Sequence, residues 1–102
     1  MLIYIIGAIR GNLLYHQQFA QAEAALRREY SCDIINPAVR WTMPESDYAK
    51  LSYNAVHSAD VVACLWTVWD SFGATMEWHI AKGLGKRMMS ITPEYEIKEV
   101  DA

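Results

Sequence analysis

Residues 2–6, LIYII, and residues 61–66, VVACLW, are unbroken apolar runs rich in β-branched side chains, with no polar residue alternating through either. A strand with one wet face alternates, whereas a strand covered on both faces has no reason to. Two such runs in a chain of 102 residues predict a sheet buried between two layers of helix. Hydrophobic residues make up 53% of the chain and charged residues 21%, with only 5 Gly and 3 Pro. That is enough apolar material for such a core and excludes a disordered, collagenous or low-complexity chain.

Between the runs the periodicity is helical. From about His16 to Tyr30, Phe19, Ala22, Ala25 and Leu26 fall on one face, and a short apolar run at 32–35 follows, stopped by Asn36-Pro37. After a polar loop with Trp41 and Pro44, Ser46 and Asp47 read as N-cap residues of a second helix to about Ser58, with Tyr48, Leu51, Ala55 and Val56 facing inward. WDSFG reads as a loop, Ala74–Leu84 as a third helix ended by Gly85, and 87–91 as a fourth strand. Residues 1–92 form one domain on this reading, and 93–102, PEYEIKEVDA, an acidic tail that is mobile unless a partner holds it.

Four strands joined by crossovers of helical length call for right-handed parallel connections. The expected fold is α/β: a three-layer sandwich on a four-stranded parallel sheet of order 2-1-3-4, flavodoxin-like or Rossmann-like. Such sheets bind ligands beyond the carboxyl ends of the strands, where the strand order reverses. That switch point lies between the first and third strands, and the loops reaching it are Gly7–Asn12 and Trp69–Gly73.

A net charge of −3 and a pI near 5.5 supply no basic field for phosphates, which argues against a nucleic-acid partner. Cys32 and Cys64 stand in apolar contexts with no CxxC, as buried thiols of a reducing cytoplasm do. The N-terminal apolar stretch, 1–9, is too short to span a bilayer and lacks a basic lead, so a soluble cytoplasmic protein without a membrane partner is expected. His16, His57 and His79 show no metal-binding spacing, no GxSxG elbow is present, and no cofactor is called for.

Within the first loop, Gly7, Ala8, Ile9, Arg10 and Gly11 place glycines where backbone can approach a ligand, with Arg10 available to a phosphate or carboxylate. The full GxGxxG is missing, and a plain turn with a surface arginine is the alternative. In the second loop Ser71 and Gly73 precede a helix whose amides can bind an anion. Glu77 lies one turn further in, among Met76, Trp78, Ile80 and Ala81. A carboxylate in so apolar a helix is costly to bury without a purpose, which makes Glu77 the leading catalytic candidate over a simple dipole role. Tyr4, inside the first strand, is core unless its hydroxyl finds a partner. Trp41, Trp66, Trp69 and Trp78 exceed what so small a core usually takes, and could stack on a base or build a subunit interface.

IYIIG followed by AIRG, then QFAQAEAAL, INPA, SADVVACLW and above all SFGATMEWHIAKGLGKRM resemble the nucleoside 2-deoxyribosyltransferase superfamily over residues 2–91, closest to its short phage and bacterial members. The GAIRG loop is also similar to the GSIRG-like loop of the 2′-deoxynucleoside 5′-monophosphate N-glycosidases. The resemblance implies that Glu77, in the Ser71-x-Gly73-x-x-x-Glu77 arrangement, attacks the anomeric carbon to give a covalent glycosyl-enzyme intermediate. It further implies that Tyr4 orients this nucleophile, and that Ser71, Arg10 and the first-loop amides hold a 5′-phosphate or hydroxyl.

Two positions depart from the pattern. The family carries an aspartate eight residues before the one that opens the third strand; counting back from Asp60 reaches Ser52, which cannot act as an acid. Asp70, Asp47 or His57 is then left to assist the leaving base. Ala8 stands where a phosphate-contacting serine is usual. The leading expectation is an enzyme that cleaves the N-glycosidic bond of a nucleoside or nucleoside 5′-monophosphate, by hydrolysis or deoxyribosyl transfer, with Glu77 as nucleophile; the alternatives are a nucleotide-binding module without catalysis and, third, a small oligomer whose tryptophans build an interface. Self-association is expected in each case, most simply as a homodimer, which would complete the active site as in the resembling family.

Overall fold

The computed structural model describes residues 1–40 and 45–100, with the side chains of 1–38 and 50–100. Its elements run β1 (Leu2–Ile6), α1 (Tyr15–Glu29), β2 (Asp33–Ile35), a 3₁₀ turn (Pro37–Arg40), α2 (Glu45–Ser58), β3 (Val61–Leu65), a second 3₁₀ turn (Trp66–Asp70), α3 (Phe72–Gly83), β4 (Arg87–Ile91) and β5 (Ile97–Val100). The sheet order is β2-β1-β3-β4-β5. β2, β1, β3 and β4 pair in parallel, with Tyr4 opposite Ile35 on one side and Val62 on the other.

Because side chains alternate across a strand, each apolar run feeds two cores. Ile3 and Ile5 of β1 and Val61, Ala63 and Leu65 of β3 pack with Phe19, Ala22 and Leu26 of α1. Tyr4, Ile6, Val62 and Cys64 point the other way, onto Ala55 and Val56 of α2 and Ala74 and Ala81 of α3. α1 covers one face of the sheet, and α2 with α3 the other. This is the sandwich expected from the unalternating runs, and it places Tyr4 on the face where α3 lies. None of the described helices is long and apolar enough to cross a membrane.

The sheet has five strands rather than four, and β5 is antiparallel to β4, so the sheet is mixed and its order is 2-1-3-4-5. The acidic end read as a mobile tail supplies this strand. Tyr95 adopts a left-handed conformation (φ 63°) in a tight hairpin closed by Tyr95 N–H to Thr92 O at 2.8 Å and Thr92 N–H to Glu96 O at 3.0 Å. Ile97 and Val100 are an odd number of residues apart and so pack on opposite cores, a spacing that shows no strand-like alternation. Charged Lys98 and Glu99 lie between them on an outer strand, and Glu99 pairs with Arg87 of β4.

Smaller differences lie at boundaries. α2 begins at Glu45, so Ser46 and Asp47 lie within its first turn rather than ahead of it. The run VVACLW leaves the sheet at Leu65, and WDSFG is mostly structured: a 3₁₀ turn reaches Asp70 and α3 starts at Phe72. Cys32 precedes β2. Trp41 and Pro44 lie outside the described residues. Trp66 packs half-buried on the α1-side core, edge-on to Tyr95 at 5.6 Å, and Trp69 and Trp78 contact each other at 5.0 Å.

Candidate active site

Ser71 caps α3, its hydroxyl accepting the Ala74 N–H at 3.3 Å. From that start Glu77 emerges toward the sheet, where the Tyr4 hydroxyl of β1 donates a hydrogen bond to Glu77 Oε2. A second hydroxyl, Ser52 of α2, donates to the same oxygen at 2.5 Å. One carboxylate is thus held by groups from a strand and a neighbouring helix, and neither Lys50 nor Lys82 is its partner; Lys82 lies over the Trp78 ring at 4.8 Å. Burial pushes the Glu77 carboxyl above the ordinary value of 4.5, opposed by the hydrogen bonds from Ser52 and Tyr4, which favour the anion. Beneath it the Cys64 thiol is pushed up to about 12, by burial first and then by Glu77.

Above the carboxylate opens a cleft of about 590 Å³. Gly7, Ile9 and Arg10 of the first loop, Ser52, Tyr53 and Val56 of α2, and residues Asp70–Ala74, Met76, Glu77 and Ile80 line it. Its position is the carboxyl end of β1 and β3, as the switch-point argument requires.

The first loop is shaped from below. A Cβ on Gly7 would stand 2.9 Å from Leu65 Cδ1 and 3.1 Å from Thr67 Oγ1, so only glycine fits against the end of β3. The Ala8 N–H donates to Thr67 Oγ1 at 3.1 Å, and Asn12 braces the loop through Nδ2 to Ala8 O at 3.0 Å. Gly11 takes φ 73°, which strains any other residue.

Of the residues singled out in the sequence, Gly7, Ile9, Arg10, Ser52, Asp70, Ser71, Gly73 and Glu77 line one cleft, with Tyr4 under it. Others do not line it. Ala8 is buried with its amide already given to Thr67, Gly11 turns the chain behind the loop, and Trp69 is 58% exposed against Trp78. His57 lies outside it as well, with Nδ1 3.0 Å from Tyr53 O, and the Asp47 side chain is outside the described residues. Sequence reasoning missed Tyr53, Val56, Phe72, Met76 and Ile80. Their apolar character is what core residues show, and only the meeting of α2 with α3 turns them into walls.

The mostly parallel α/β sandwich has a counterpart among solved structures. The chain is similar to the CMP N-glycosidase BcmB of Clostridium botulinum, with a TM-score of 0.64 and 19% identity, over 94% of this chain and 75% of that one. The shared feature is the fold. Residues 1–90 match the family described as Domain of unknown function (DUF4406), and the chain belongs to that family. A search of curated proteins finds no match.

Proposed function

We propose that the protein cleaves the N-glycosidic bond of a nucleoside or nucleoside 5′-monophosphate, by hydrolysis or by transfer of the sugar, with Glu77 as nucleophile. The observation that carries this reading is the Glu77 carboxylate fixed by two hydroxyls at the base of a switch-point cleft. The likeness in fold to an N-glycosidase supports it.

In the first step a Glu77 oxygen bonds to C1′ as the C1′–N bond breaks. The electron pair leaves with the base nitrogen, which takes a proton from water or from Asp70. In the second step water, or the nitrogen of another base, attacks C1′ and gives up its proton to Asp70 or to solvent, and the ester to Glu77 breaks to return the carboxylate, with retention at the anomeric carbon. Arg10, Ser71 and the first turn of α3 form the polar end of the cleft, suited to a 5′-phosphate or hydroxyl. Tyr53, Phe72 and Met76 form its apolar rim, suited to the base. A homodimer covering the exposed Leu13, Phe72 and Trp69 completes the proposal.

The presence of Ser52 where an acid is expected favours a second reading, a nucleotide-binding module without catalysis. Incubation with the nucleosides and their monophosphates, beside Glu77→Gln, separates the two. Release of free base that Gln abolishes supports the enzyme, and saturable binding without release supports the module.

A further inference from the structure

We infer that Ser52 is a positioning residue for Glu77: its hydroxyl and that of Tyr4 pin Oε2, so that Oε1 is the oxygen presented to the cleft. The reacting role of Glu77 rests on the function proposed above; the geometric role of Ser52 does not.

A carboxylate has two equivalent oxygens and turns freely about its last bond. One donor leaves that rotation partly open. A second donor arriving from another element closes it, and here Ser52 from α2 and Tyr4 from β1 end on the same atom. No hydrogen bond among the described residues ends on Oε1, and no buried side-chain oxygen among them lacks both a partner and solvent contact, so Oε1 is open to the cleft that Glu77 lines. The two oxygens are no longer equivalent: one is an anchor and the other is free to react.

The choice of serine follows from the same geometry. An aspartate at position 52, when ionised, would set a second negative charge against Oε2 with no proton to donate, and the pair would titrate together. A serine hydroxyl donates at every working pH. Ser52 is therefore a stable anchor in its own right, and its place in the chain is not simply that of a lost acid.

Among the described residues, the titratable groups facing Glu77 are Tyr4 from β1 and Cys64 from β3, with Arg10, Tyr53 and Asp70 around the cleft. Burial raises the carboxyl and the two hydroxyls oppose it, so loss of the Ser52 hydroxyl shifts the titration upward. The test is a pH titration of the full chain carrying ¹³C at the glutamate carboxyls, with the Glu77 signal assigned by its absence in Glu77→Gln. Ser52→Ala is expected to raise the Glu77 midpoint by about one pH unit, the scale of one hydrogen bond to a charged acceptor. The isosteric pair Ser52→Thr and Ser52→Val separates hydroxyl from packing: Thr keeps the wild-type midpoint and Val shifts as Ala does. In any base-release assay the acid limb of kcat/KM moves up with the same variants. An unchanged midpoint in the Ala and Val variants, or Thr and Val moving alike, overturns the inference. The titration needs no substrate, so a failure to release base from any nucleotide refutes the proposed function and leaves the role of Ser52 measured.

Discussion

Tyr4 and Glu77, 73 positions apart in sequence, are joined by a hydrogen bond from the phenol hydroxyl to carboxylate Oε2. β1 supplies the donor because its even-numbered side chains face α2 and α3, and α3 supplies the acceptor because its polar exception points at the sheet. Tyr4 is 1% exposed, so the bond lies between a buried phenol and an acid at the cleft floor. Removing the phenol hydroxyl by Tyr4→Phe is expected to lower base release by about 10-fold, the effect of one hydrogen bond to a charged group, with the fold kept. Steady-state kinetics beside circular dichroism measures both.

Glu77→Gln is expected to reduce base release by at least ~100-fold, since an amide cannot form the glycosyl ester. The variant keeps shape and volume, so its thermal midpoint at neutral pH should not fall. A variant that still releases base at the wild-type rate would remove Glu77 from the chemistry.

The pH dependence of stability follows from the direction of the Glu77 shift. Its carboxyl is raised above 4.5 in the folded state, chiefly by burial. The stability it contributes is therefore fully present below the unfolded value and lost as pH rises through the folded one. The melting temperature of the wild type relative to Glu77→Gln should fall as pH rises from about 4 toward 8, and scanning calorimetry across that window reads the difference. A difference that stays flat would mean that the carboxyl is not buried at a cost.

Gly7→Ala places a methyl 2.9 Å from Leu65 Cδ1 and 3.0 Å from Leu65 Cβ, at the base of the first loop. The expected loss is about 1–3 kcal/mol of unfolding free energy in urea, as for other overpacked sites. Ligand affinity should fall with it, because the same loop carries Ile9 and Arg10 to the cleft.

Removing residues 97–102 strips β5 from β4 and opens the edge at Met88–Ile91. A lower melting temperature and light scattering on heating are expected, the behaviour of an unprotected apolar edge. A mobile tail would be lost without either effect.

Leu13 is 98%, Phe72 84% and Trp69 58% exposed. Sedimentation at micromolar concentration is expected to show a dimer, with an interface of roughly 1,600 Å², and the double variant Leu13→Ser, Phe72→Ser should return it to monomer. A wild type that sediments as a monomer would refute this.

The sandwich was legible because each of its signals is local. LIYII and VVACLW lack alternation since both of their faces are covered, and Phe19, Ala22, Ala25 and Leu26 carry the helical period that buries α1. Ser71 as the cap of α3 and Glu77 as the costly acid of an apolar helix could be read for the same reason: propensity and desolvation act on neighbours in the chain. β5 could not, because Ile97 and Val100 serve different cores and imitate no period.

What only the tertiary structure decided is which atoms meet. Position 52 could be found by counting, but nothing along the chain says that its hydroxyl shares Oε2 with Tyr4, or that Thr67 takes the Ala8 amide away from any ligand. Those contacts depend on the register of β1 against β3 and on how α2 and α3 settle on one face of the sheet. Both are set by the packing of residues far apart in sequence, each of which looks in isolation like ordinary core.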